Sequence, residues 1–493
     1  MADDAGTQPR RWTMIAILVG AGVLWLPGLG RGLWLDETGT YWVVSGGLDD
    51  TVDRAIQFQG QSPLYFVVAW FARIVGHGNE IVMRLPSVVF MAAAAFLLYR
   101  LLVALTDRTA ALLGTAVFVT SWKVVMEAND ARPYALGLVM VIAAMYGLVR
   151  WFQTAQLRFV AVYVVCAALT VYAHYLLGVM FLVHIVHAVE ARRTGTRVTL
   201  VQIVLAAVAV VVLLTPLIPQ FLAVLGKRGT YSWTGTPGVK SLAVALLPPV
   251  TVAGLGLGLA AARVLGGARI ERPRRAPWFA FAWLLVPILV LFAISRFTPT
   301  KIFSPMYVIA AEPAVAVLAG WYLRGLQPAR AAPFVVLGLV AATLVSLRFR
   351  PFPHEDWRGA VAEINQLDRL GTAGVMCACG FVEASNLEWL RDPERLKFLN
   401  APLAAYPPRG EILRLPDDEP FLRDYAAQVV DAFAPHHDRL IFLGRGDSAA
   451  SWGPWLAPRL EREGFQMRPI GKHDGVSLLL FERPAPGTQQ RSP

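Results

Sequence analysis

Gly32-Leu33-Trp34-Leu35-Asp36-Glu37-Thr38-Gly39-Thr40-Tyr41 places two adjacent carboxylates a few residues beyond an apolar run, Trp12 to Leu29, that carries no charge after Arg11. Roughly 20 apolar residues cross a hydrocarbon core of about 30 Å, so the run is long enough to be a membrane helix. No small-residue cleavage site precedes Asp36, so it reads as a retained first helix rather than a signal peptide. The acidic pair then lies at a membrane surface, where carboxylates are costly unless paired or put to use.

The rest of the chain agrees with a bilayer setting. Of 493 residues, 56% are apolar and only 16% charged, well above the hydrophobicity of a soluble domain. Apolar runs predict about eleven spans, near 12–30, 85–105, 109–122, 134–150, 158–174, 176–190, 198–219, 241–265, 277–295, 305–322 and 331–347. The short loops on one side collect Arg10, Arg11, Arg108, Arg150, Arg158, Arg192, Arg193, Arg197, Arg269 through Arg275, Arg324 and Arg330. By the positive-inside rule that side is cytoplasmic. Asp36, Glu37, Glu127, Asp130 and everything after Arg348 then face outward. Pro63 to Gly76 is apolar, but it is short and interrupted by Arg73, so it is expected flat on the outer surface; if it crossed, every later basic cluster would change sides. The outer loop 31–84 is expected to carry surface helices.

The formal charge of +11 is not a nucleic-acid signal. Residues 350–493 hold 17 basic and 20 acidic side chains, which leaves 28 basic and 14 acidic in residues 1–349, where the excess belongs to topology. No helix-turn-helix, zinc-finger or aromatic RNA platform pattern is present. Cys166, Cys377 and Cys379 have no metal-ligand spacing and no disulfide framework, and Cys377 and Cys379 read as inert core thiols on one strand face. Beyond residue 348, short apolar stretches at Gly374–Cys379, Arg439–Leu443 and Val476–Phe481 alternate with polar helical segments, which predicts a soluble α/β domain over 349–483 with Asp356 as a helix N-cap. The segment 484–493, rich in Pro, Gly, Gln and Ser, is expected to be disordered.

Taken with Gln61-Ser62-Pro63-Leu64-Tyr65, Arg84-Leu85-Pro86-Ser87, Glu127-Ala128-Asn129-Asp130-Ala131-Arg132-Pro133-Tyr134-Ala135-Leu136 and His174-Tyr175, the acidic pair gives a chain that resembles the GT-C glycosyltransferases. It is similar to the bacterial relatives of dolichyl-phosphate-mannose-protein mannosyltransferases and of the lipid A aminoarabinose transferase. The likeness covers residues 12 to about 325, with weaker echoes in Asp356-Trp357-Arg358 and the tail.

The resemblance implies a polytopic α-helical membrane enzyme of the bacterial cytoplasmic membrane. Such an enzyme moves a sugar from a polyprenyl-phosphate donor to a glycan, lipid or protein acceptor on the outer face, with inversion. Transfer to a hydroxyl needs a base near the acceptor and positive charge near the departing phosphate. Asp36 matches the family's base; the alternative is a solvated carboxylate pair near a helix end. Glu37 is left to orient the acceptor, bind a divalent metal, or pair with Arg31 or Arg84; no other cofactor is implied. Arg132 is expected to grip the donor phosphate, with Asp130 holding it; the alternative is a helix-locking salt bridge. If residues 127–134 are helical, Glu127 and Asp130 share a face, as do Asp130 and Tyr134.

His174 and Tyr175 end the fifth helix on the same side, where the imidazole can bond a sugar hydroxyl or a phosphate, or rest as a satisfied interfacial histidine. Relatives place a cation immediately before Tyr307, where this chain has Met306, so the phosphate role passes to Lys301 or Arg296. Glu312, two turns into the tenth helix, either meets the sugar or is packed and neutral. His184 and His187 read as structural. The loop Lys227 to Lys240 can be a flap or an ordinary aromatic-anchored loop. Two other classes stay open on the residues alone: a transporter or lipid-flipping protein, although no paired broken helices mark two halves, and a catalytically silent glycan-assembly scaffold.

Overall fold

The computed structural model describes residues 4–226, 234–270, 276–349, 352 and 355–484. The chain divides into two compact units: Met1–Leu29 with Ala55–Phe352, and Gly30–Arg54 with Pro353–Pro493. Residues 30–54 of the outer loop fall in the second of these units.

Among the described residues of the membrane unit, seven helices are long and apolar enough to cross a bilayer: Glu80–Leu105, Tyr134–Thr154, Tyr175–Thr194, Leu200–Gly226, Pro249–Gly266, Trp278–Phe297 and Ala329–Phe349. An eighth span is reached if Arg108–Thr120 and Trp122–Ala128, bent by 64°, count as one. Arg11–Trp25, Leu157–Ala173 and Ile309–Leu323 are apolar but shorter, as is the surface candidate Leu64–Gly76, so the expected count of eleven is not established by length. The run expected at 241–265 is broken into Val239–Leu246 and Pro249–Gly266, because Pro248 and Pro249 lack the N–H groups that would continue the ladder.

The 64° bend leaves carbonyls that water cannot reach. In hydrocarbon such groups must find partners inside the protein. Trp25 Nε1 donates to Val119 O at 3.0 Å, and Thr343 Oγ1 donates to Thr120 O at 2.7 Å. Helix pairs nearby approach on small residues, as membrane helices do in the absence of a hydrophobic drive between them. A Cβ on Gly114 would stand 2.7 Å from Ala316 O, and one on Gly258 2.7 Å from Val335 Cα.

The C-terminal unit holds a five-stranded mixed sheet. Numbering follows two short strands of the membrane unit, β1 (Arg269–Ile270) and β2 (Leu326–Gln327). The sheet comprises β3 (Gly374–Ala378), β4 (Glu411–Arg414), β5 (Arg439–Arg445), β6 (Gln466–His473) and β7 (Val476–Glu482), in the order β4-β3-β5-β7-β6. β3 runs parallel to β4 and β5, while β7 is antiparallel to β5 and β6. All five residues of β3 are buried, as expected of a strand covered on both faces. Helices Arg423–Phe433 and Ser448–Arg462 supply Val430, Phe433, Trp452 and Leu456 to pack on Met376, Phe442 and Phe481. β6 turns into β7 through Asp474-Gly475, with Gly475 at φ 64°, the composition a two-residue hairpin demands.

The three apolar stretches are β3, β5 and β7, and Asp356 caps the helix Trp357–Leu367 by accepting from the Gly359 N–H at 2.9 Å. One expectation is corrected. Cys377 and Cys379 are joined as a disulfide, with Cα atoms 5.6 Å apart, rather than standing as free thiols. Cys379 lies just past the end of β3, so the pair is not held at full strand extension. The segment expected to be disordered after Pro484 lies outside the described residues, as do residues 271–275 of the basic loop.

Candidate active site

In the C-terminal unit, Asp36 and Glu37 open the helix Leu35–Val43, where two carboxylates complement the positive end of the helix dipole. Glu37 is fully buried and its Oε2 accepts the Trp34 N–H at 3.2 Å, closing the helix start on itself. Asp36, one residue earlier, is half-buried. The segment before the helix is tied to residues far along the chain. Leu33 N donates to Tyr406 Oη at 2.8 Å, Leu35 N to Glu355 Oε2 at 2.7 Å, and Arg358 Nη2 to Gly30 O at 3.4 Å. Glu355 also accepts from Trp357 Nε1 at 3.0 Å and pairs with Arg445 at 2.6 Å. The Asp356-Trp357-Arg358 echo is thus part of the frame that fixes the acidic helix.

A second group of charges in this unit escapes sequence reading. The Glu383 carboxyl is pushed up to about 7, first by burial, then by the Asp36 and Asp417 carboxylates, against its own backbone N–H and the Arg414 charge. Arg414 is buried in β4, and desolvation brings it down to about 10 despite Asp417 and Glu383. Burial raises Asp417 as well, with Arg414 opposing. The Arg414 Nη1 also lies 3.4 Å from the Cys377 carbonyl, to which it donates. The sequence signal available was faint: Glu383 follows a strand end, and Arg414 closes a four-residue strand that begins with Glu411 and reads as polar.

In the membrane unit, three of the quoted motifs converge. Ser87 Oγ donates to Asp130 O at 2.6 Å, Arg84 Nη1 donates to Leu29 O at 2.8 Å, and Arg132 Nη1 donates to Gln59 Oε1 at 3.1 Å. Glu127, Asp130, Arg132 and Tyr134 are all buried. They are not on one continuous helix. The helix Trp122–Ala128 ends at Asn129 and the next begins at Tyr134 after Pro133, so the face-sharing expected for 127–134 does not apply. Tyr134, His174 and Tyr307 instead form a ring cluster, with centroids 5.4 Å apart for Tyr134–His174 and His174–Tyr307 and 6.4 Å for Tyr134–Tyr307. Met306 joins it, because Tyr134 Oη donates to its Sδ at 3.2 Å. His174 caps the helix Leu157–Ala173 in an extended conformation.

The other sequence candidates have local partners. Tyr175 Oη donates to Gln220 Oε1 at 2.9 Å. Lys301 Nζ donates to the carbonyls of Ser295 and Thr298 at 2.8 and 2.9 Å, closing the C-terminal end of Trp278–Phe297, and Arg296 is exposed in that helix's last turn. Glu312 begins its α-helix rather than lying two turns inside it, since residues 309–311 form a 3-10 turn. Its carboxylate pairs with Lys123 at 2.7 Å and accepts from Ser121 Oγ at 2.6 Å. Lys123, which the sequence reading passed over, thus gives the intramembrane acid a partner at the helix bend. His184 and His187 are buried among rings, with His187 4.6 Å from Phe279. Among the described residues, no group of three or more His, Cys, Asp or Glu side chains is arranged to hold a metal ion. Residues 227–233 of the flap candidate, including Tyr231 and Trp233, lie outside the described residues.

No family model and no curated protein matches the chain. Among solved structures it is similar to the crystal structure of ArnT from Cupriavidus metallidurans in the apo state, with a TM-score of 0.58 over 97% of this chain and 98% of that one. The fold is ArnT-like. Sequence identity is 13%, so the likeness is one of architecture: a multi-pass helical membrane fold followed by a C-terminal β-sheet domain. The helical part is what the GT-C resemblance implied, and the sheet domain is what the apolar stretches after residue 348 predicted.

Proposed function

We propose that the chain is a membrane glycosyltransferase that moves a sugar from a polyprenyl-phosphate donor to an acceptor hydroxyl on the outer face of the cytoplasmic membrane. The full-length ArnT-like fold carries this reading, because ArnT is a lipid A aminoarabinose transferase of the GT-C type. The acidic helix start and the buried Arg132 with its neighbouring rings support it.

In the proposed reaction the acceptor oxygen attacks the anomeric carbon from the face opposite the phosphate, so the configuration inverts. Asp36 takes the hydroxyl proton as the C–O bond forms, a role that supplies about 10²- to 10⁴-fold in rate. The bond to the phosphate oxygen breaks, and the charge that develops there is met by Arg132 with Lys301 or Arg296; fixed cations aimed at developing charge are the strongest single aid to such a step. Glu37, committed to the Trp34 N–H, acts by shaping the helix that presents Asp36. Tyr134, His174 and Tyr307 offer ring faces and polar edges to the sugar phosphate, and the excess of Arg in the short loops of residues 1–349 supports the orientation.

The test is to incubate the purified protein with a labelled polyprenyl-phosphate sugar and membrane glycolipid acceptors. Acceptor-dependent release of polyprenyl phosphate supports the proposal. Binding of the lipid without any release, under conditions where it is translocated or merely retained, favours a transporter or a silent scaffold instead.

A further inference from the structure

An apolar groove lies in the membrane unit, lined by none of the residues assigned above. The groove, of about 570 Å³, runs between Arg11–Trp25, Glu80–Leu105 and Arg108–Thr120. Its walls include Met14, Leu18, Trp25 and Phe96, and its floor is low because Ala21 and Ala95 present only methyl groups. Leu18 and Phe96 are more than half exposed, so the groove opens to the surroundings rather than into the core.

The ends of the groove differ. Arg11, Tyr99 and Arg108 sit at one end, where the helices Glu80–Leu105 and Arg108–Thr120 meet at Asp107, while Trp25 and Val119 mark the other. The Asp107 carboxylate is turned to the N–H groups of Thr109 and Ala110 at 2.8 and 3.0 Å as a helix cap. From Met14 to Trp25 the first helix rises about 16 Å at about 1.5 Å per residue, close to half of a hydrocarbon core of about 30 Å. The groove is therefore one leaflet deep, apolar along its length, and cationic at the rim.

We infer that this groove binds one anionic phospholipid of the cytoplasmic leaflet, its acyl chain along Ala21 and Ala95 and its phosphate between Arg11 and Arg108. A zwitterionic lipid carries a cation that these two guanidiniums repel, and a soluble phosphate has nothing to place in the apolar length. The leaflet assignment follows from the orientation proposed above; binding itself does not depend on the transfer reaction.

Native mass spectrometry of the purified full-length protein, equilibrated with dioleoylphosphatidylglycerol or with dioleoylphosphatidylcholine, tests it. One phosphatidylglycerol should be retained in preference to phosphatidylcholine. Replacing both cations, Arg11→Gln with Arg108→Gln, should weaken that retention roughly ten-fold, since each basic side chain near an anionic headgroup contributes measurably. Ala92→Phe, at an exposed groove position, should weaken it while leaving thermal unfolding unchanged. Equal retention of the two lipids, or phosphatidylglycerol binding unaffected by the double replacement, overturns the inference.

Discussion

Leu35 donates its backbone N–H to Glu355 Oε2 at 2.7 Å, joining positions 320 residues apart. The bond fixes the first turn of the helix that carries Asp36, and Glu355 is itself held by Trp357 and Arg445. A hydrogen bond to a charged acceptor contributes about 1.5–3 kcal/mol. Glu355→Ala is therefore expected to lower stability by about 2 kcal/mol. Because a misplacement of about 1 Å can cost around 10²-fold in rate, it should also depress kcat strongly while the donor KM stays near wild type. Denaturation and steady-state kinetics on the same preparation check this; an unchanged kcat would remove Glu355 as a positioning residue.

Lys123, partly exposed, and the buried Glu312 form an ion pair at 2.7 Å beside the helix bend. Removing one partner strands the other charge, at a cost of about 3–5 kcal/mol, whereas replacing both with apolar residues is often close to neutral. Lys123→Met should sharply lower the thermal midpoint in detergent, and Lys123→Met with Glu312→Leu should recover most of it. A double variant no better than the single would mean that the bend, and not the pairing, sets the cost.

The C-terminal unit should lose stability as pH rises through neutrality. Glu383 has its carboxyl raised from the ordinary 4.5 to about 7, chiefly by burial, so the folded state holds the proton more tightly than the unfolded chain. Its contribution is whole below about pH 4.5 and is lost as pH rises through about 7. Unfolding followed between pH 5 and 8 should show lower stability at the alkaline end, and Glu383→Gln should flatten that slope. A slope that persists in the variant assigns it to another group.

How far the sequence led depends on which interactions are local. The apolar periods located the membrane helices and the strands β3, β5 and β7, whose buried faces leave continuous hydrophobic runs. The edge strands β4 and β6 were missed because edge strands are half solvated, and Glu411–Arg414 and Gln466–His473 fell within stretches read as polar helical segments. Asp36 stood out through its position after an apolar run. Glu355, Tyr406 and Glu383 did not, since their meaning comes from contacts hundreds of residues away and no local pattern announces them. Glu312 was legible as an intramembrane acid, but its partner Lys123 was hidden in a segment read as the end of a helix. The helix break at Ser121, with Trp25 and Thr343 serving its carbonyls, is tertiary in origin.

Arg132 donates to Gln59 at 3.1 Å through one branch of its guanidinium. A planar fork that meets a phosphate is not replaced by an ammonium. Arg132→Lys is expected to raise the donor KM about ten-fold and to lower kcat/KM by more, without a matching loss of stability. Donor titration at fixed acceptor measures it, and a KM equal to wild type would take the phosphate role away from this residue.

The most direct measurement of the central proposal is transfer from a labelled polyprenyl-phosphate sugar by Asp36→Asn, compared with wild type at equal folded concentration and saturating donor. The variant keeps the size of the side chain and loses the basic oxygen. The account predicts that turnover falls by at least about 10²-fold while donor binding and thermal stability are preserved; transfer at near wild-type rate would contradict it.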